Sequence, residues 1–135
     1  MNAEALCQMI EKNTFAKTIG LEMLELREGY AEGRIPVKEE SKNPLGTMHG
    51  GCLYSLADIV SGTAATLRGN YVTTVSGEFS FLRPAADTQY VTAKAQEIRF
   101  GKNLAVYRVD LVDDAGTVLD IATFTFFDLG KKIEE

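Results

Sequence analysis

Apolar residues recur along the chain with two different periods, and the points where the period changes divide it into elements. Leu6, Met9 and Ile10 fall at helical spacing, which predicts a short amphipathic helix over residues 3–12. Leu21, Met23 and the stretch through Leu26 read as a strand that Gly29 ends. Tyr30 to Val37, apolar at Ile35 and Val37, predicts a second strand that closes a hairpin. Ser41 to Met48 is loop chemistry: Pro44 pushes Asn43 out of the helical region, and Asn43 and Gly46 tolerate turn geometry. Leu53, Leu56, Ala57, Val60 and Ala64 then mark one face of a helix running to about Leu67. Its other side carries Ser61, Gly62 and Ala65, so the helix is small-sided nearly all round and is expected to be enclosed.

Beyond Gly69-Asn70 the period shortens to two. Val75, Gly77, Phe79 and Phe81 alternate until Pro84 stops them, and Val91, Ala93 and Ala95 alternate with Thr92, Lys94 and Gln96. Ala105, Tyr107, Val109 and Leu111 run to a turn at Asp113 to Gly116, and Val118 to Phe127 returns. Long consecutive strands, two of them joined by a tight turn, predict an antiparallel meander. The expected fold class is α+β, with a curled antiparallel sheet wrapped around one long central helix and a short helix at the N-terminus. One domain over residues 1–135 is expected. The long edges of such a sheet must be paired or covered. Pairing across a two-fold axis predicts a homodimer, which two-fold symmetry can extend to a homotetramer.

Composition narrows this picture. The 135 residues are 45% hydrophobic and 24% charged, as in globular proteins, and a chain this long buries enough surface to fold without staples. Cys7 and Cys52 are the only cysteines, too few for a disulfide framework and without metal-site spacing, so a reducing cytoplasm is expected. Residues 1–5 lack the positive start and apolar run of a signal peptide, and the Leu53–Leu67 segment is too short and too polar to span a membrane. A net charge of −5 argues against broad nucleic-acid binding, and leaves any polyanionic ligand dependent on local cations.

The chemistry concentrates in Asn43-Pro44-Leu45-Gly46-Thr47-Met48-His49-Gly50-Gly51 and the following Leu56-Ala57-Asp58. His49, the chain's one histidine, stands where loop gives way to helix. The glycines after it let a ligand approach the unpaired amides of the first turn, which can stabilise an oxyanion with the help of the helix dipole. Asp58 is a carboxylate on an otherwise small and apolar helix, costly to bury unless paired or shifted in pKa. His49 and Asp58 are nine residues apart, so on one helix they stand about 13 Å apart along the axis and roughly 180° around it. They cannot touch within one chain. Two such helices packed antiparallel across a two-fold axis could bring the His49-Gly50 end of one near Asp58 of the other, which makes the expected site composite.

Asn43, the His49-Gly50-Gly51 triplet and Leu56-Ala57-Asp58, in this order and spacing, resemble the PaaI-type (phenylacetic acid degradation) branch of the hotdog-fold acyl-CoA thioesterases. Val75 to Phe79, Phe81 to Ala85 and Arg99 to Ala105 agree with it, so the resemblance runs from about residue 14 to near the end. It implies that Asp58 activates the attacking water, or attacks the thioester itself, while the Gly50 amide polarises the carbonyl. Asn43 would position water or substrate, His49 would orient the motif, and Ser76, 18 residues after Asp58, would assist the water. Arg83 and Pro84, with Arg99, Gly101, Lys102 and Asn103, match the region that meets the CoA nucleotide. The implied substrate is an acyl-CoA, with no metal and no cofactor beyond the substrate's own CoA. One histidine and two distant cysteines cannot build a zinc site, and no Gly-x-Ser-x-Gly elbow is present. Cys52 reads as a core cysteine rather than a nucleophile. An acyl-thioester hydratase or dehydratase on the same fold, and a non-catalytic acyl-CoA binder in which Asp58 is a structural acid, are the competing functions.

Overall fold

The helix foreseen from the Leu53–Ala64 spacing runs Gly50–Thr66 (α3), starting three residues earlier because His49 caps it. The computed structural model describes residues 3–133, so the terminal glutamates of the charged tail and the first two residues lie outside the described part. Ahead of α3 come two short helices, Ala3–Glu11 (α1) and Thr14–Thr18 (α2), in place of the one expected over residues 3–12. Asn13 makes the break: its side-chain oxygen accepts from the Ala16 amide at 3.0 Å, so it caps a new helix instead of extending the first. Strands Glu22–Arg27 (β1) and Tyr30–Pro36 (β2) form the predicted hairpin. After α3 follow Asn70–Phe81 (β3), Tyr90–Phe100 (β4), Leu104–Val112 (β5) and Val118–Lys132 (β6).

Among the described residues these strands form one antiparallel sheet in the order β1-β2-β4-β5-β6-β3. The meander β4-β5-β6 is as predicted. The sheet closes at its far edge on β3, the strand directly after the helix, which pairs with β6 and leaves its other edge open. β3 begins five residues before the alternation that revealed it, because Tyr71, Val72, Thr73 and Thr74 favour an extended chain.

Leu53, Leu56, Ala57, Val60, Ala64 and Ala65 of α3 are buried against inward-facing residues of the sheet, among them Ile35, Val91, Tyr107, Val109, Phe124 and Phe126. Small residues let the sheet close on the helix. At Gly77 a Cβ would stand 2.3 Å from Tyr54 Oη and 2.6 Å from the Phe124 ring, so only glycine fits where β3 passes α3. Enclosure is tighter over the C-terminal half of α3, where Ser61 is also buried. At the N-terminal half Gly51 and Tyr54 are exposed, and Asp58 is half-buried. Among the described residues no helix is long and apolar enough to cross a membrane.

Candidate functional site

Residues 43–49 form a loop held by Asn43. Its side-chain oxygen accepts from the Leu45 and Thr47 amides at 3.0 and 3.2 Å, and its side-chain nitrogen donates to Thr47 Oγ1 at 2.9 Å. The loop delivers His49 to the start of α3, where Nδ1 accepts from the Gly51 amide at 2.8 Å. His49 therefore caps the helix through Nδ1. The Cys52 and Leu53 amides both donate to the His49 carbonyl. Of the first-turn amides, that of Gly50 donates to no group among the described residues. It is left as the free donor at the positive end of a 17-residue helix. Gly50 borders a cavity of about 380 Å³ together with Asn43, Leu53, Phe81, Arg83 and Asp120. A Cβ on Gly50 would come within 3.1 Å of the Phe81 ring, which packs against this glycine.

Asp58 stands eight residues further along α3, about 12 Å down the axis, and faces a different cavity. That cavity, about 250 Å³, is walled by Met9, Asn13, Gly62, Tyr71, Thr74 and Phe126. Thr74 Oγ1 donates to Asp58 Oδ1 at 2.6 Å. The family resemblance implies Ser76 for this place. Within the chain Ser76 instead pairs with Thr125, on the face of β3 opposite the helix. Alternation with inward Gly77 puts Ser76 on that face, and a bulge between Thr74 and Ser76 brings Thr74 to the helix side: Val75 is the unpaired extra residue, so the inward phase carried by Gly77 and Phe79 continues at Thr74 rather than Val75. Thr74 was missed for the same reason, since simple alternation assigns it to the outer face.

The residues expected to meet a nucleotide divide into two groups. Arg83 and Pro84 are exposed at the rim of the Gly50 cavity, anchored by the Arg83 amide, which donates to the Leu119 carbonyl at 2.9 Å. Arg99, Lys102 and Asn103 are exposed at the β4–β5 turn, which the Gly101 amide closes onto the Leu104 carbonyl at 2.8 Å. Leu104 pairs with Phe127 of β6, eight residues from Leu119, so the two groups lie about 27 Å apart along the strand. Asn43, Gly50, Arg83 and Pro84 thus share one end of the molecule, and Asp58 lies toward the other.

Two further groups complete the site's surroundings. Burial raises the Cys52 thiol pKa, with nearby Lys38 only partly opposing it, which disfavours the thiolate a nucleophile would need. Asp120, on β6, is fully buried in the wall of the Gly50 cavity, and neither carboxyl oxygen has a hydrogen-bond partner among the described residues. Desolvation pushes its pKa up to about 7. Sequence reading passed over Asp120, although an acid in phase with Ala122, Phe124 and Phe126 was a visible sign of an inward carboxyl.

Residues 45–119 match the family model for the thioesterase superfamily. The chain is 31% identical over 105 residues to the acyl-coenzyme A thioesterase PaaI of Escherichia coli (strain K12), covering 78% of this chain and 75% of that protein. It is 29% identical over 115 residues to acyl-coenzyme A thioesterase 13 of Homo sapiens, covering 83% and 82%. The solved structure of the E. coli PaaI protein from the phenylacetic acid degradation operon superposes with a TM-score of 0.90 at 26% identity, over 98% of this chain and 99% of that one. The sheet curled around α3 is the hotdog fold.

Proposed function

The chain belongs to the thioesterase superfamily and is an acyl-CoA thioesterase, and from that premise we propose that its hydrolytic sites are each assembled from two copies of the chain. One copy supplies Asn43, His49 and the Gly50 amide, and the other supplies Asp58 and Thr74. The observation that carries this reading is the division of labour along α3. The free Gly50 amide and the Asp58 carboxylate face separate cavities in one chain, yet hydrolysis needs both at one carbonyl. The open edge of β3 beside Thr74 is the edge we propose to pair, and two such dimers would form the homotetramer.

In this mechanism the thioester carbonyl oxygen accepts from the Gly50 amide, which stabilises the negative charge that develops there. Asp58 takes a proton from water as the water oxygen attacks the carbonyl carbon. The tetrahedral intermediate then collapses, the C–S bond breaks, and the proton on Asp58 passes to the departing CoA thiolate. Thr74 fixes the carboxylate through Oδ1 and leaves Oδ2 for the water. Asn43 shapes the loop and positions the acyl carbonyl, and His49 holds the first turn so that only Gly50 points outward. Arg83 and Pro84 of the copy that supplies Gly50, and Arg99, Gly101, Lys102 and Asn103 of the copy that supplies Asp58, take the phosphates of CoA, local cations on an acidic protein. The reaction needs no cofactor beyond the CoA of its substrate, and the cytoplasm is where that substrate is met.

Thiol release from aromatic and aliphatic acyl-CoAs tests this directly. Wild-type turnover should fall at least about a hundredfold in Asp58→Ala and Asp58→Asn, with the fold intact by circular dichroism. Tight binding of acyl-CoA without release of thiol by the wild type would instead identify a non-catalytic binder with Asp58 as a structural acid.

A further inference from the structure

Hydrolysis as proposed leaves one acidic side chain of the site unused. Asp120 has a relative exposure of 0%, and neither carboxyl oxygen meets a donor among the described residues. Its register neighbours on the same face are Phe81 and Leu111, both apolar. Arg83 borders the same cavity and forms no ion pair with it among the described residues, so the carboxyl is uncompensated. A buried polar group without a partner costs stability, and a protein core has simple apolar alternatives at such a position. The other inward residues of this strand, Ala122, Phe124 and Phe126, show what those alternatives look like.

The location suggests what offsets that cost. Asp120 is part of the wall of the cavity into which the free Gly50 amide also opens, between Leu53, Met48 and Phe81. An acyl group whose carbonyl rested on Gly50 would have this wall beside it. The remaining lining is largely apolar and would accept a plain hydrocarbon, so the carboxyl is the group on the buried part of the wall that can distinguish one small acyl group from another. We propose that Asp120 is a specificity-determining residue of the acyl pocket, selecting short acyl groups that carry a hydroxyl or carbonyl oxygen over their hydrocarbon counterparts. This rests on the hydrolytic site proposed above. Because burial raises the carboxyl's pKa to about 7, Asp120 below neutrality carries a proton it can donate to a carbonyl or hydroxyl oxygen, and it can also accept from a hydroxyl. A hydrocarbon acyl group would leave both oxygens unpaired in the complex, and sites built to hydrogen-bond an oxygen reject the analogue that lacks it for this reason.

Binding separates this inference from the hydrolytic reading. Calorimetric titration with the non-hydrolysable thioethers S-butyl-CoA and S-(3-hydroxybutyl)-CoA compares two ligands that differ by one hydroxyl, in wild type, Asp120→Leu and Asp120→Asn. The wild type should favour the hydroxylated ligand by about tenfold or more. Asp120→Leu should bring the ratio to near one by weakening the hydroxylated ligand alone, and Asp120→Asn, which keeps hydrogen-bonding atoms, should retain part of the preference. Leucine removes an unpaired buried acid, so Asp120→Leu is expected to melt no lower than wild type, and its ratio is read on folded protein. Equal affinities in wild type, or an undiminished preference in Asp120→Leu, would overturn the role of Asp120 while leaving thioester hydrolysis standing. Failure of the wild type to bind either thioether or to release thiol from any acyl-CoA would overturn both.

Discussion

A carboxylate is useful as a base only if something fixes where its lone pairs point, and Thr74 does this for Asp58 through a 2.6 Å bond to one oxygen. Removing the hydroxyl while keeping the shape, in Thr74→Val, is expected to lower kcat by ~10- to 100-fold, the worth of a hydrogen bond to a charged group. Thr74→Ser should keep most of the activity, and Ser76→Ala should leave kcat within about twofold if Thr74 is the operative hydroxyl. An effect of Ser76→Ala equal to that of Thr74→Val would restore Ser76 to the role first expected of it. Asp120 carries a stability signature of its own. Its carboxyl titrates near 3.9 when unfolded and at about 7 when folded, so between those values the native state holds a proton that the unfolded chain releases. Its contribution is therefore most favourable below about pH 4, is lost progressively as pH rises to about 7, and is flat above. Urea unfolding from pH 4 to 8 should show the stability of Asp120→Asn gaining on wild type across that window, by on the order of a few kcal/mol. Parallel curves would mean that Asp120 is already paired in solution.

Elements act through their fit to one another. β3 and α3 touch where Gly77 faces Tyr54 and Phe124, and the bulge at Val75, two residues earlier, turns Thr74 toward Asp58. Phe124 is fully buried and cannot retreat. Gly77→Ala is accordingly expected to push β3 off the helix, at a cost of about 1–3 kcal/mol for overpacking, and to lower activity through displacement of Thr74. Thermal melts and kcat measured together test this, and a loss of stability with unchanged kcat would show that the two contacts are independent. The N-terminus of α3 is built with the same economy: His49 and its carbonyl occupy three of the first amides and leave Gly50's.

At the scale of the whole molecule, one chain holds the Gly50 amide and the Asp58 carboxylate in separate cavities. If active sites are shared, two defective variants must complement one another. Asp58→Ala and Asn43→Ala, mixed in equal amounts and allowed to exchange subunits, should regain about a quarter of wild-type activity, since half the dimers are mixed and each of those holds one intact site. No recovery after demonstrated exchange would place the whole site within a single chain.

Periodicity and turn chemistry made much of this protein legible before any coordinates. The apolar face of α3, the β1–β2 hairpin, the β4-β5-β6 meander and the loop from Asn43 to His49 are each specified by residues close together in the chain, and local spacing reports such features faithfully. Asp58 stood out because a carboxylate on a small-sided helix contradicts its surroundings. What neighbouring residues could not specify was settled by long-range pairing. The closure of the sheet through β3 on β6, and the bulge that puts Thr74 instead of Ser76 on Asp58, depend on register with a strand some fifty residues later. The isolation of Asp120 likewise exists only once Phe81 and Leu111 lie beside it. A single unpaired residue reverses the phase of a strand, and a buried acid lacks partners only when every neighbour is known, so both facts belong to the folded chain.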